Sequence, residues 1–514
     1  MASRRSRGAP GTWLVALAVV VASLAACTSS THYPPLPTPT RSIGAATSHH
    51  PNIVFVLTDD LSWDLVRYMP HVLALQRRGM TFSNYTVTDS LCCPSRASIF
   101  SGKFPHDTHV LGNTGPKGGF ARFHDLGEEK STFATSLLAA GYRTGFLGKY
   151  LNQYYPSPPA GQDSSGGAWV PPGWTSWGGV GDGYPEYDYN IADGHGVSWH
   201  ANLPEDYLTS VLQQRATQFI GADPSTSRPF MLEVATFAPH FPYTPAPADL
   251  GTFPGIQAPH TPAFDRVPHP APAWLRGRPP LSRRQLRQIQ HYYQLRVEAV
   301  QSVDRLVGAL EQSVRDSGQA NNTVFVFSSD NGYHLGQYRL KSGKQTAFDT
   351  DIRVPLIVAG PNIPAHSVNS DMVENIDLRP TFEQLAGATT PPDVDGRSMV
   401  PLLQGQTKPW RKYALVEHKY DAHNAADPDT QSFYTGEIPP SYTAIRAKQF
   451  VYVTYASGEH EYYNIAKDPY ELHNLGASLS PARIAALDRI TNGLINCHGA
   501  VACWEAGDGN TAPR

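Results

Sequence analysis

The 514-residue chain has almost no surplus charge, 41 Lys plus Arg against 44 Asp plus Glu. No global field marks it as a nucleic-acid binder, so any preference for an anion must come from a local cluster. Beyond the N-terminus no run is long and apolar enough to cross a bilayer as a helix. No internal repeat is visible, which excludes a solenoid. Cysteine is scarce: five residues, at positions 27, 92, 93, 497 and 503.

That scarcity sorts the cysteines by use. Arg4, Arg5 and Arg7 followed by the apolar run Trp13 to Ala22 form the basic and hydrophobic parts of an export signal. Leu24-Ala25-Ala26-Cys27 reads as a bacterial lipobox that acylates Cys27; the small residues also satisfy a soluble signal-peptidase site. Residues 28–50, rich in Ser, Thr and Pro, read as a tether. The protein is thus expected outside the cytoplasm, as a surface lipoprotein anchored at Cys27 or secreted. Export makes a disulfide between Cys497 and Cys503 an expectation. Cys92 and Cys93 remain, and adjacent cysteines rarely bridge each other, so a special use for one of them gains weight.

Proline (45) and glycine (43) are plentiful, which points to long surface loops around a core. The length suits one large domain, 51–398, plus a smaller one, 399–505. Asn52 to Thr58 is a short apolar, β-branched run that reads as a strand buried on both faces, and it ends in Asp59-Asp60. Thr323 to Ser329 repeats the pattern and ends in Asp330-Asn331. Such pairs often do no more than start turns. On neighbouring strands of an open parallel sheet, however, they would converge beyond the carboxyl ends. Three carboxylates so placed repel one another unless a cation lies between them, and hard oxygen donors suit Ca²⁺ or Mg²⁺.

Between these strands, helical stretches are predicted at Pro70 to Arg78 and Thr132 to Ala140, and strands at Tyr142 to Leu147 and Pro229 to Phe237. Tyr155 to Tyr189, dense in Gly, Pro and aromatics, reads as a loop over the site. Apolar residues from Leu286 to Val314 recur at helical spacing, a long amphipathic helix whose role is packing. Ile352 to Ala359 reads as a strand and Asp377 to Ala386 as a helix. Short strands at 413–417, 443–446, 450–455 and 461–465, then a helix from Pro481 to Leu494, suit a small antiparallel sheet. The whole is an α/β fold, a large mixed sheet between helices with a smaller C-terminal antiparallel subdomain.

Ser90 to Gly102 reads S-L-C-C-P-S-R-A-S-I-F-S-G. Pro94 suits the first turn of a helix, which places Cys92 just ahead of a helix N-terminus, where an anion is favoured. The bland reading is two buried thiols in an ordinary turn. C-x-P-S-R with the following Ser101-Gly102 resembles the signature of type I sulfatases, in the alkaline-phosphatase superfamily. The longer run to His106 most resembles the N-acetylglucosamine-6-sulfatase branch. Asp468-Pro469-Tyr470-Glu471 with Asn474-Leu475 resembles a turn of the family's C-terminal subdomain.

The resemblance implies that Cys92 is oxidised by a formylglycine-generating enzyme to 3-oxoalanine, whose hydrate attacks sulfur. It implies a divalent cation, Ca²⁺ ahead of Mg²⁺, held by Asp59, Asp60, Asp330, Asn331 and the modified Cys92. Arg96, Lys149, Lys344 and His240 match the family's catalytic cations and proton donor, and His334 lies close enough in sequence to the metal ligands to touch substrate. The implied substrate is a sulfated carbohydrate or an aryl sulfate, with no nucleic acid involved. A histidine found two residues after the lysine in many arylsulfatases is here Leu151; its work is either absent or supplied by another residue, His109 or His334. A phosphodiesterase or phosphonate hydrolase of the same superfamily, and a surface glycan-binding protein with unmodified Cys92, are the alternatives.

Overall fold

The computed structural model describes residues 50–156, 169–193, 196–222, 228–420 and 437–509. The leader, Cys27 and most of the tether lie outside the described residues. Among those described, a ten-stranded mixed sheet forms the centre. Its middle five strands, Ser176–Gly181, Arg143–Lys149, Phe230–Ala235, Asn52–Thr58 and Thr323–Ser329, run parallel in that order across the sheet. Antiparallel partners flank them, including Leu356–Ala359 beside Thr323–Ser329.

The sheet is covered on both sides, which explains its continuous apolar strands. Along Asn52–Thr58, Ile53, Phe55 and Leu57 enter one core, and Val54 and Val56 the other. The first core is closed by the helices Cys92–Ser101, Phe133–Ala139 and Leu378–Leu385. The second is closed by Pro70–Arg78, Leu208–Gly221 and the 34-residue helix Arg283–Asp316. A separate four-stranded antiparallel sheet spans Tyr413–His418, Tyr442–Ala447, Val451–Tyr455 and His460–Tyr463. Helices Pro481–Ile495 and Gly499–Gly507 pack against it, and a disulfide joins Cys497 to Cys503.

Two expectations need correction. The stretch expected as one loop from Tyr155 to Tyr189 contains the strand Ser176–Gly181, which pairs with Arg143–Lys149. Its sequence S-W-G-G-V-G hides the strand because glycine has low β propensity. A Cβ at Gly178 would lie 2.5 Å from Leu147 Cδ2 of the neighbouring strand, so the leucine side chain would have to shift to admit one. The strand expected from Ile352 begins only at Leu356, after a single helical turn, Asp349–Ile352. Pro355 has no N–H to give a ladder and delays the start.

One polar group interrupts the first core. Glu233 stands in register with Phe55 and Phe146, fully buried, and neither of its oxygens has a hydrogen-bond partner among the described residues. Burial pushes its carboxyl up to about 8, opposed only by Arg96. The folded protein therefore keeps a proton that the unfolded chain releases above pH 4.5, the ordinary value. This contribution to stability is full at low pH and declines as pH rises towards about 8. Urea midpoints of the wild type should fall relative to Glu233→Gln across that interval; parallel curves for the two proteins would contradict the assignment.

Candidate active site

The two aspartate-bearing strand ends are side by side. Thr58 pairs with Ser329, and the Asp330 amide donates to the Thr58 carbonyl at 3.0 Å. The Asp60 amide donates to Asp330 Oδ1 (3.2 Å), and Asn331 Nδ2 donates to Asp60 Oδ1 (2.6 Å). Asp59, Asp60, Asp330 and Asn331 are all buried, as parallel strands sharing one end dictate.

Cys92 opens the helix Cys92–Ser101 as its first residue, one position inside the expected start. Its Sγ lies 3.3 Å from Asp59 Oδ1 and 2.7 Å from Lys344 Nζ. Ser95 Oγ donates to the Asp330 carbonyl, and Asn375 Nδ2 donates to Ser95 Oγ at 3.0 Å, tying the helix to the second strand end. The Cys93 amide donates to Asn113 Oδ1 at 2.9 Å.

Basic side chains interleave with the carboxylates. Arg96 Nε donates to Asp330 Oδ2 (2.7 Å) and its Nη1 to the Lys149 carbonyl (2.7 Å). Lys149, at the end of its strand, pairs with Asp59 Oδ2. Lys344 Nζ reaches Asp60 Oδ1 at 2.6 Å. Its loop is pinned beside Cys92, because the Gln345 amide donates to the Ser90 carbonyl and Ser90 Oγ to the Thr346 carbonyl. His240 Nδ1 donates to the Phe241 carbonyl at 2.7 Å, which turns Nε2 towards Asp60 Oδ2, 3.7 Å away. His334 lines the same pocket as Asp60, His240 and Lys344, with its Nδ1 2.9 Å from Asp351 Oδ2.

The electrostatics follow from burial and pairing. Burial raises the Asp59 carboxyl, but Lys149, His240 and Lys344 outweigh it and hold Asp59 below the usual range. Burial, then Asp59, pushes Asp330 above that range, against Arg96. Burial pushes the Cys92 thiol well up, and Asp59 adds to this. Burial alone would lower Lys149, yet Asp59 and Cys92 keep it firmly charged.

The residues fit a cation. One donor atom each from Asp59, Asp60, Cys92 and His240 lies within 4.8 Å of the others. Asp60 Oδ2 and Asn331 Oδ1 are buried without a hydrogen bond among the described residues, so two oxygen lone pairs are left to a ligand. Three buried carboxylates with such open donors are the hard-oxygen set of a divalent ion.

Every expected site residue except His109 joins this cluster or lines its pocket. His109 instead lines a different pocket, with Asp89, His106 and Glu417, so of the two substitutes for the histidine absent at Leu151 only His334 is at hand. Three supporting residues escaped the sequence. Arg296, buried in the long helix assigned only to packing, donates to the Asp60 carbonyl (2.6 Å) and the Pro239 carbonyl (3.1 Å). It thereby ties the first strand end to the segment carrying His240. A charged residue adjoining the apolar stripe of Tyr293, Val297 and Val300 was the available signal. Tyr184, from the supposed loop, places its ring 4.6 Å from that of His240 and 4.9 Å from Lys149 Nζ. Asp351 holds His334 and the hydroxyl of Thr346.

The sequence matches the family model described as Sulfatase over residues 51–388. The chain belongs to the sulfatase family. It is a sulfuric ester hydrolase. A second model, described as N-sulphoglucosamine sulphohydrolase, C-terminal, matches residues 340–491. The sulfatase is 32% identical to an N-acetylglucosamine-6-sulfatase of Capra hircus over 88% of this chain and 84% of that one. It is 34% identical to the extracellular sulfatase SULF-1 homolog of Drosophila melanogaster, over 73% of this chain and 34% of that one. A protein solved in complex with its substrate D-glucosamine-2-N,6-O-disulfate shares the fold, with a TM-score of 0.71, 22% identity, and coverage of 86% of this chain and 97% of that one. A phosphonate monoester hydrolase of Silicibacter pomeroyi shares it too, with a TM-score of 0.66, 21% identity, and coverage of 87% and 94%. No helix among the described residues is long and apolar enough to cross a membrane.

Proposed function

We propose that this sulfatase removes 6-O-sulfate from N-acetylglucosamine-type sugars, with Cys92 oxidised to 3-oxoalanine and a divalent cation, Ca²⁺ ahead of Mg²⁺, at the strand ends. The observation that carries the substrate is the 32% identity to N-acetylglucosamine-6-sulfatases along nearly the whole chain. Asp59, Asp60, Asp330 and Asn331 would hold the cation. Buried protein oxygens favour Ca²⁺, since Mg²⁺ dehydrates reluctantly and usually keeps several waters.

Cys92 Sγ marks the place of the oxidised side chain's hydroxyl. An unmodified thiol pushed up by burial and by Asp59 is a poor nucleophile, which supports the oxidised form. When present, the cation supplies positive charge to the sulfate oxygens, and the hydrated aldehyde supplies a hydroxyl that can later expel sulfate. The chain's own groups do the rest. Lys344 and Lys149 flank the nucleophile and offer fixed positive charge where the transferring group gains negative charge. Arg96 fixes Asp330 and the Lys149 backbone. His240, its Nδ1 committed to a carbonyl, presents Nε2 to protonate the departing alcohol. His334, oriented by Asp351, contacts the sugar side of the ester.

Maturation then requires a formylglycine-generating enzyme, and export with a lipid anchor at Cys27 would place the enzyme at the cell surface. The test is the mass of the tryptic peptide ending at Arg96, together with turnover of N-acetylglucosamine-6-sulfate and of an aryl phosphonate. The expected results are an exchange of sulfur for oxygen with loss of two hydrogens, and preference for the sulfate. An intact thiol in active enzyme, or preference for the phosphonate, would overturn the proposal.

A further inference from the structure

Residues far apart in sequence form a second polar cluster, built around the C-terminal disulfide. His106 and Asp107 belong to the one-turn helix Pro105–Thr108, and His498 immediately precedes the helix Gly499–Gly507. One donor atom from each of the three lies within 4.8 Å of the other two. His498 Nδ1 pairs with Asp107 Oδ1, and His106 Nε2 is 4.0 Å from that same oxygen. The Cys497 carbonyl lies 3.0 Å from His106 Nε2 and adds a fourth donor.

The frame around these donors is built. His106 Nδ1–H donates to Glu417 Oε2 at 2.8 Å, which turns Nε2 towards the cluster. This carboxylate–imidazole arrangement orients metal-binding histidines. Buried Asp395 accepts from the Phe104 amide (2.8 Å) and the Gly499 amide (2.7 Å). It thus clamps the backbone next to both histidines, while the Cys497–Cys503 disulfide fixes the chain beside His498. The His498 side chain is 73% exposed, which leaves a way in.

We propose that His106, Asp107, His498 and the Cys497 carbonyl form a second metal site, for a Zn²⁺-class transition ion, that staples the C-terminal helices to the catalytic half. Two imidazoles with a carboxylate and a carbonyl select a borderline ion, whereas Ca²⁺ takes oxygen donors alone. On binding, the Nε2 proton of His106 leaves to solvent and His498 shifts its proton from Nδ1 to its exposed nitrogen. His106 keeps its Nδ1 proton, donated to Glu417. Metal uptake therefore releases a proton and tightens as pH rises.

The test uses full-length protein stripped with a chelator and titrated with Zn²⁺ against a chromophoric indicator, in excess Ca²⁺ and Mg²⁺. The wild type should take one equivalent that His498→Ala and Glu417→Gln bind at least about tenfold more weakly. Cys92→Ala should retain it, which separates this site from the catalytic cluster and from any failure of the sulfatase reading. Zn²⁺ should also raise the thermal midpoint of the wild type more than that of His498→Ala. Equal zinc affinity and stoichiometry in the wild type and His498→Ala would overturn the proposal.

Discussion

Replacing Cys92 by alanine should lower desulfation by about 10⁴-fold or more while leaving the fold in place. The side chain is the only atom set at that position able to become a nucleophile, and its Sγ sits between Asp59 and Lys344. Alanine removes it without unpairing either neighbour: Lys344 keeps Asp60, and Asp59 keeps Lys149. The stability cost should stay near that of losing one small buried group, about 1 kcal/mol. Residual turnover would come from Arg96, Lys149, Lys344 and the bound cation, which still favour charge build-up on sulfate. Turnover of a sugar sulfate with circular dichroism on the same sample checks both parts. Undiminished desulfation in a folded variant would remove the nucleophile from the account.

His240→Ala should separate substrates by their leaving groups. A sugar alkoxide is a poor leaving group and needs a proton as the S–O bond breaks; nitrophenolate does not. Loss of a positioned acid should therefore cost about 10²–10⁴-fold in kcat on the sugar sulfate, and far less on nitrophenyl sulfate. The Nδ1 bond to the Phe241 carbonyl and the approach of Nε2 to Asp60 give the ring this orientation without contact from the sugar. Parallel kinetics on the two substrates decide the matter. Equal losses on both would make His240 a structural or charge-balancing residue instead of the proton donor.

The legible part of the site was local. Asp59-Asp60 and Asp330-Asn331 each end an apolar run, and strand ends are where an α/β sheet delivers residues. Cys92 and Arg96 are fixed by one short helix start, Lys149 ends a strand, and His240 lies on the segment that leaves one. The illegible part belongs to side chains that act across the packing. Arg296 is one turn of a long amphipathic helix, and helical periodicity says which face is buried but not which backbone carbonyls that face meets. The strand at Ser176–Gly181 was hidden because glycine has low β propensity, and the pairing of Gly178 with Leu147 on a neighbouring strand is absent from the local sequence.

By itself the sequence determined the α/β layering, the two acidic strand ends, the Cys92 turn and the near balance of charge that leaves anion recognition to a local cluster. Only the tertiary structure decided that Asp60 and Cys92 meet at Lys344, that Tyr184 and Arg296 support this cluster, and that His106 and His498 meet at the disulfide. The reason is range. Hydrophobic period and turn chemistry act over a few residues along the chain. Which buried polar groups satisfy one another is settled when sheet and helices pack, since each group buried without a partner costs about 1–3 kcal/mol.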